Sequence, residues 1–263
     1  MIDLREIYNY YKELRDRELA FGMKVNEYCQ EVEDSGFKYA LSFMYEDEYS
    51  FKLIGWPSDL EELIVPDCIT EIDNNTTDLN THLKRVVLGK NCAVIGCNSF
   101  SNCIALREIV GGDSLRLIDR QAFLNCKELS DFHFGKNLEV LASRAFAHTG
   151  LTHVKFNSRL ITLKPSCFAY CENLKEVEDL WCVKKENVNG SFGASESVFK
   201  GCVNLEKVSI IDISSIPKEF FWYCSSLKSV DMQCSRDSLA RIEEDAFYKC
   251  NKDLLVRCAD GVV

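Results

Sequence analysis

The chain has 263 residues and contains no apolar run long enough for a membrane span or a secretory signal, no glycine-rich phosphate loop and no sustained basic amphipathic helix. The first absence excludes membrane insertion. The other two exclude a nucleotide-phosphate cradle and a helix lying on a lipid surface. The first 36 residues, where a leader would sit, instead carry Arg5, Glu6, Lys12, Glu13, Arg15, Asp16 and Arg17. The expected location is therefore cytoplasmic, with extracellular placement by unconventional export as the alternative. Positive charge is scarce too, with 31 Lys and Arg against 41 Asp and Glu, a net charge of −10, and Lys184-Lys185 as the one compact basic cluster. That balance disfavours a nucleic-acid surface. The cysteine pairs Cys92/Cys97 and Cys167/Cys171 lack the tight double Cys-x-x-Cys spacing of a zinc site, and no cofactor is expected.

What the chain does have is a repeat. Phenylalanine, cysteine, leucine and a β-branched or aromatic residue recur at three-residue steps in Phe100-Cys103-Leu106-Ile109, Phe123-Cys126-Leu129-Phe132, Phe168-Cys171-Leu174-Val177, Phe199-Cys202-Leu205-Val208 and Phe221-Cys224-Leu227-Val230. Phe146 opens a variant copy with Thr149 in the cysteine slot and Leu151 one residue early, and Phe247 is followed by Cys250. Successive phenylalanines lie 23, 23, 22, 31, 22 and 26 residues apart, within the range of leucine-rich repeats. A further hydrophobe precedes the phenylalanine by five residues at Ile95, Ile118, Leu141, Leu163, Ile216 and Ile242. The same register runs back through Ile72, Thr77, Asn80, Leu83 and Val86, and then to Leu60, Leu63 and Val65 as an incomplete first coil. After each leucine the chain alternates inward and outward with the period of a short strand, so stacked coils predict one continuous parallel sheet. The phenylalanines form an interior column whose truncation is expected to cost about 3–5 kcal/mol each.

The pattern resembles the BspA-like leucine-rich repeat family, most clearly over Ile118 to Leu129 and Ile242 to Cys250. The segment from Phe37 to Ile72, with Gly55, Leu63-Ile64-Val65-Pro66 and Ile69-Thr70-Glu71-Ile72, is similar to the strand-rich cap that opens such arrays. The resemblance covers about residues 37 to 258. It implies an α/β fold, a right-handed leucine-rich repeat solenoid, whose members mostly look like binding surfaces rather than enzymes. It also suggests a cell-surface or secreted adhesin-like role, against which the missing signal sequence counts.

Fourteen cysteines ordinarily suggest disulfides or metal sites. Six of them, Cys103, Cys126, Cys171, Cys202, Cys224 and Cys250, share one repeat slot in which Asn80 and Thr149 stand in. That slot asks for a small side chain able to bond weakly to a turn, and a column of buried thiols fits it. Bridges between adjacent coils are close enough by distance but opposed by parallel side-chain vectors. Disulfides and metal are the two other readings of the column.

Residues 1–36 read as a helical N-terminal extension, and residues 37–263 as the repeat domain. Asp3 and Glu6 suggest a capping box, with Leu4, Ile7, Tyr8, Tyr11 and Leu14 on one face. Val25, Tyr28, Cys29 and Val32 continue the period to a stop at Ser35-Gly36. The extension is expected to cap the array; the alternative is a partner-binding or dimerising helix.

The outward sheet positions are Arg85 and Val87, Glu108 and Val110, Asp131 and His133, His153 and Lys155, Glu176 and Glu178, Lys207 and Ser209, and Ser229 and Asp231. This mixed-sign row with a few hydrophobes suits a protein or peptide ligand. Within it, His133 and His153 with Asp131, Glu176 and Glu178 are expected on three consecutive strands, the only grouping that could serve a metal-dependent enzyme. No Ser, Thr or Cys nucleophile joins them in register, so the favoured reading is non-catalytic. The 31-residue interval inserts residues 179–193, where Trp181 and Phe192 are either recognition aromatics or covers for the core beneath.

Overall fold

The computed structural model describes residues 29–34, 37–43, 49–76, 80–156, 162–182, 193–213, 215–233 and 241–262. The strands are β1 (Cys29–Asp34), β2 (Phe37–Phe43), β3 (Tyr49–Gly55), β4 (Glu62–Ile64), β5 (Glu71–Ile72), β6 (Arg85–Val87), β7 (Val94–Ile95), β8 (Glu108–Val110), β9 (Leu117–Ile118) and β10 (Val140–Leu141). They continue as β11 (His153–Lys155), β12 (Thr162–Leu163), β13 (Glu176–Cys182), β14 (Gly193–Ala194), β15 (Lys207–Ile213), β16 (Ser215–Ile216), β17 (Ser229–Met232), β18 (Arg241–Ile242), β19 (Leu255–Cys258) and β20 (Gly261–Val262). Most coils contribute one strand after the leucine and a second, two-residue strand at the hydrophobe five residues before the phenylalanine. The latter stack in parallel as β5, β7, β9, β10, β12 and β14, continuing from the antiparallel run β1-β2-β3.

Two expectations are corrected here. Among the described residues there is no helix, so the fold is an all-β solenoid rather than α/β. The expected helical extension fails where it can be seen: Cys29 and Val32 lie in β1, which pairs antiparallel with β2 from Cys29↔Ser42 to Asp34↔Phe37. Six residue pairs of ladder outweigh a short i, i+3, i+4 spacing, because tertiary pairing overrides local period. The part of that reading on residues 1–28 lies outside the described residues.

The second correction concerns the leucine-side sheet, which is not continuous. It splits into β4-β6-β8 and β11-β13-β15-β17-β19-β20, and between them the coil of Asp131–Phe134 makes only the isolated bridge Phe134↔Phe156. Phe132 occupies the slot held elsewhere by Val or Ile, and its ring sits 4.9 Å from both Phe134 and Phe146. A ring in a valine-sized place holds its backbone off the ladder. The Phe132 N–H is taken by the Asp131 carboxylate at 2.9 Å instead.

The interior is the phenylalanine column. Phe100, Phe123, Phe146, Phe168, Phe199, Phe221 and Phe247 stack at centroid spacings of 5.0 to 5.7 Å with interplanar angles of 7° to 19°. Trp56, 5.5 Å from Phe100, closes the N-terminal end of the stack. Beside this column runs the thiol column. The Cys126, Cys171, Cys202, Cys224 and Cys250 thiols each donate to the phenylalanine carbonyl of the preceding coil, Phe100, Phe146, Phe168, Phe199 and Phe221, at 3.1 to 3.2 Å. Thr149 donates to the Phe146 carbonyl of its own coil at 2.9 Å, and buried Asn80 donates to Leu60 O at 3.1 Å. All six slot cysteines are free thiols.

A third ladder closes each coil on the side of the phenylalanines. Residues two before and two after the phenylalanine adopt positive φ, as at Asn98 and Asn102 (56° and 61°) or Gln121 and Asn125 (58° and 62°). This turns alternate N–H groups toward the next coil: Phe100 N donates to Ala122 O at 2.8 Å and Asn102 N to Leu124 O at 2.7 Å. Nothing in the side-chain period announced it.

Candidate functional site

The outward side chains of the leucine-side strands are aligned by the ladder register. In the first section Glu62, Arg85 and Glu108 lie side by side, as do Ile64, Val87 and Val110. The Arg85 guanidinium donates to Glu62 and, at 2.8 Å, to Glu108, and both bonds hold its pKa above the ordinary arginine value. In the second section His153, Glu176, Lys207, Ser229 and Leu255 form one row. Lys155 and Glu178 align beside it, and Ser209, Asp231 and Arg257 continue on the later strands, Asp231 accepting from Arg257 at 2.9 Å.

Glu178 is the electrostatic centre of that section. It accepts from Lys155 Nζ at 3.0 Å and from His153 Nε2 at 3.1 Å. The Lys155 hydrogen bond is the main reason its pKa lies below the ordinary glutamate value, and the same bond raises Lys155. Ligand atoms of His153, Glu176 and Glu178 lie within 4.8 Å of one another, the arrangement among the described residues that could hold a divalent cation. Lys155 already neutralises one of its carboxylates, and Lys207 is aligned with the other.

Asp131 and His133 are exposed but stand in the gap between the two sheets rather than on a strand. His133 Nε2 pairs with Asp113 Oδ1 at 3.0 Å and is not part of the His153 group. Trp181 is half-buried in β13, aligned with Asp212, while Phe192 lies outside the described residues. Sequence reasoning missed Glu62 and Ile64 at the start of the face, although the residues flanking inward Leu63 were there to be read by the same rule. It also missed the stack on the turn side, where His148 and Tyr170 lie 4.9 Å apart and Lys200 Nζ sits 3.5 Å over the Trp222 ring. No helix of the described residues is long and apolar enough to cross a membrane.

Comparison with known proteins agrees with this architecture. The BspA type leucine rich repeat region matches in six copies over residues 48–175 and 190–256. Among solved structures, a T. pallidum leucine-rich repeat protein is 21% identical with a TM-score of 0.58, over 75% of this chain and 91% of that chain, a likeness of fold alone. A leucine-rich repeat protein from Bacteroides ovatus is 15% identical with a TM-score of 0.47, over 89% and 81% of the two chains. A leucine rich cell surface protein from Faecalibacterium prausnitzii is 17% identical with a TM-score of 0.39, over 90% and 89%. No curated protein matches the chain. With the family pattern matched along most of its length and the coils stacked in the order that pattern requires, the chain belongs to the BspA-type leucine-rich repeat family.

Proposed function

We propose that the protein is a non-catalytic interaction module that binds a protein or peptide ligand through the exposed face of the leucine-side sheets and the 179–193 insertion. The observation that carries this reading is the registered display of unlike side chains from a rigid ladder: Arg85 and Glu108 in one section, His153, Lys155, Glu176, Glu178, Lys207 and Asp231 in the other. Asp131 and His133, set between the sections, extend the same face, and Trp181 belongs to the part of the insertion that lies in β13. Mixed charges in fixed rows favour a patterned partner over a uniformly charged polymer. We place the protein in a reducing, cytoplasmic setting, which counting free thiols in the purified protein tests, since paired cysteines would indicate an oxidising one.

The test is affinity capture from the source cells, comparing the native chain with a variant carrying Glu108→Lys, Asp131→Lys, Glu176→Lys and Glu178→Lys. None of these positions is buried, and circular dichroism checks that the fold survives. A partner held by the native chain and released by the variant supports the reading. A partner held equally by both moves the contact away from the sheet face, and no partner for either removes the reading's main support.

A further inference from the structure

β4 is the outer strand of the β4-β6-β8 sheet. Val65 N donates to Val87 O at 2.8 Å and Arg85 N to Glu61 O at 3.2 Å, so residues 61 and 65 turn their backbone groups toward β6. Strand alternation then directs the backbone groups of Glu62 and Ile64 to the open side of the sheet. Ile64 is 62% exposed, although its two neighbours in sequence, Leu63 and Val65, are buried. It begins the apolar row that Val87 and Val110 continue. The charged row beside it alternates in sign, Glu108, Arg85, Glu62, and ends on a carboxylate whose outer flank meets no charged partner among the described residues.

Resting on the reading of the sheet face as a binding surface, we infer that the β4 edge accepts an extended segment of a partner protein as a further parallel strand, with Lys or Arg opposite Glu62 and Val or Ile two residues later opposite Ile64. Main-chain hydrogen bonds then supply affinity and the two rows supply specificity, as in other strand additions. Short, charged edge strands commonly serve to block pairing. An exposed isoleucine aligned with two valines does not serve that purpose. A second copy is a poor occupant, because antiparallel pairing about Leu63 sets Ile64 of each chain against Glu62 of the other.

The probe is a fluorescein-labelled peptide containing Thr-Arg-Thr-Ile-Thr, read by fluorescence anisotropy and by amide hydrogen exchange of the full chain. Saturating peptide is expected to slow exchange at the Glu62 and Ile64 amides by about tenfold or more. Changing the peptide's Arg to Glu should weaken binding by about tenfold, and Glu62→Lys should reverse that preference. Ile64→Pro deletes the outward N–H and leaves Leu63 and Val65 to pair with β6, so it should lower affinity with little change in melting temperature. Absence of binding at millimolar peptide, unaltered exchange at both amides, or indifference to Glu62→Lys and Ile64→Pro each overturns the inference. Loss of peptide binding only in a Glu176→Lys, Glu178→Lys variant also overturns it while leaving the sheet-face reading standing. Edge binding by the peptide together with a native partner indifferent to the four-lysine variant does the reverse.

Discussion

Each inner phenylalanine is covered on both flat faces by rings about 5 Å away, so its removal leaves a gap between two rigid neighbours that cannot close without moving whole coils. Phe146→Ala is expected to cost about 3–5 kcal/mol. Phe247, only partly buried at the end of the stack, has one covered face and should cost clearly less on truncation. Urea denaturation of the two variants decides this, and equal costs would contradict the stack as the source of the penalty. The cysteine slot works by a different interaction. The Cys202 thiol donates to Phe168 O at 3.2 Å with its side chain wholly buried. Cys202→Ala should therefore cost about 1–2 kcal/mol, and Cys202→Ser, which keeps a donor as Thr149 does, should cost less. If the two variants are equally unstable, the slot is about volume and not about the bond.

At the scale of the coil, the variant copy around Phe146 shows how a missing residue is absorbed. The early Leu151 brings the backbone at Gly150 against the preceding coil, where an added Cβ would lie 2.2 Å from Lys127 O. Backbone cannot yield there, so Gly150→Ala should cost more than about 2 kcal/mol. Gly55→Ala is the control, since its Cβ would meet only the Lys38 side chain at 3.7 Å and should change stability little. Thermal melts of both variants separate a steric requirement from a general dislike of replacing glycine. Legibility divides along the same line. The inward slots were readable because the same side-chain types return at fixed spacing. The positive-φ positions were legible only in part: Asn98, Asn102, Asn125 and His148 are residue types enriched in that conformation, but Gln121, Arg144 and Tyr170 occupy equivalent positions and do not announce it. The strand β1 was misread as helix because Tyr28, Cys29 and Val32 sit at helical spacing, and only its antiparallel pairing with the strand that follows it, β2, decides otherwise. The sheet break was visible as a phenylalanine in a valine slot, but periodicity weighs hydrophobicity and not size. On the candidate face, strand positions such as Arg85, His153 and Glu178 were legible from the alternation. Their pairing into separate ion-pair clusters depended on which coils remain in register.

For the molecule as a whole, the pairs on the exposed face contribute little to stability, since solvent screens them, whereas the buried thiols tie the entire array to pH. Burial pushes the Cys92 and Cys103 thiols up to about 12 and that of Cys250 up to about 11. Burial likewise holds Cys126, Cys202 and Cys224 well above the ordinary thiol value. In the unfolded chain these groups lose their protons near pH 8.5 to 9. Below that pH both states are protonated and the folded state keeps its full stability. Above it the unfolded chain ionises first, so stability falls as pH rises toward 11 to 12. At pH 10 each of the raised and buried thiols Cys92, Cys103, Cys126 and Cys224 should lower the unfolding free energy by about 1.5–2 kcal/mol relative to pH 7. Urea midpoints at the two pH values are expected to drop accordingly. Tyrosine and lysine also titrate near pH 10, so the decisive comparison is with a Cys103→Ala, Cys126→Ala variant. Its midpoint should be lower at pH 7 but lose less on going to pH 10, by the share of the two missing thiols. An undiminished pH dependence in that variant would place the alkaline sensitivity elsewhere and leave the thiol column with a packing role alone.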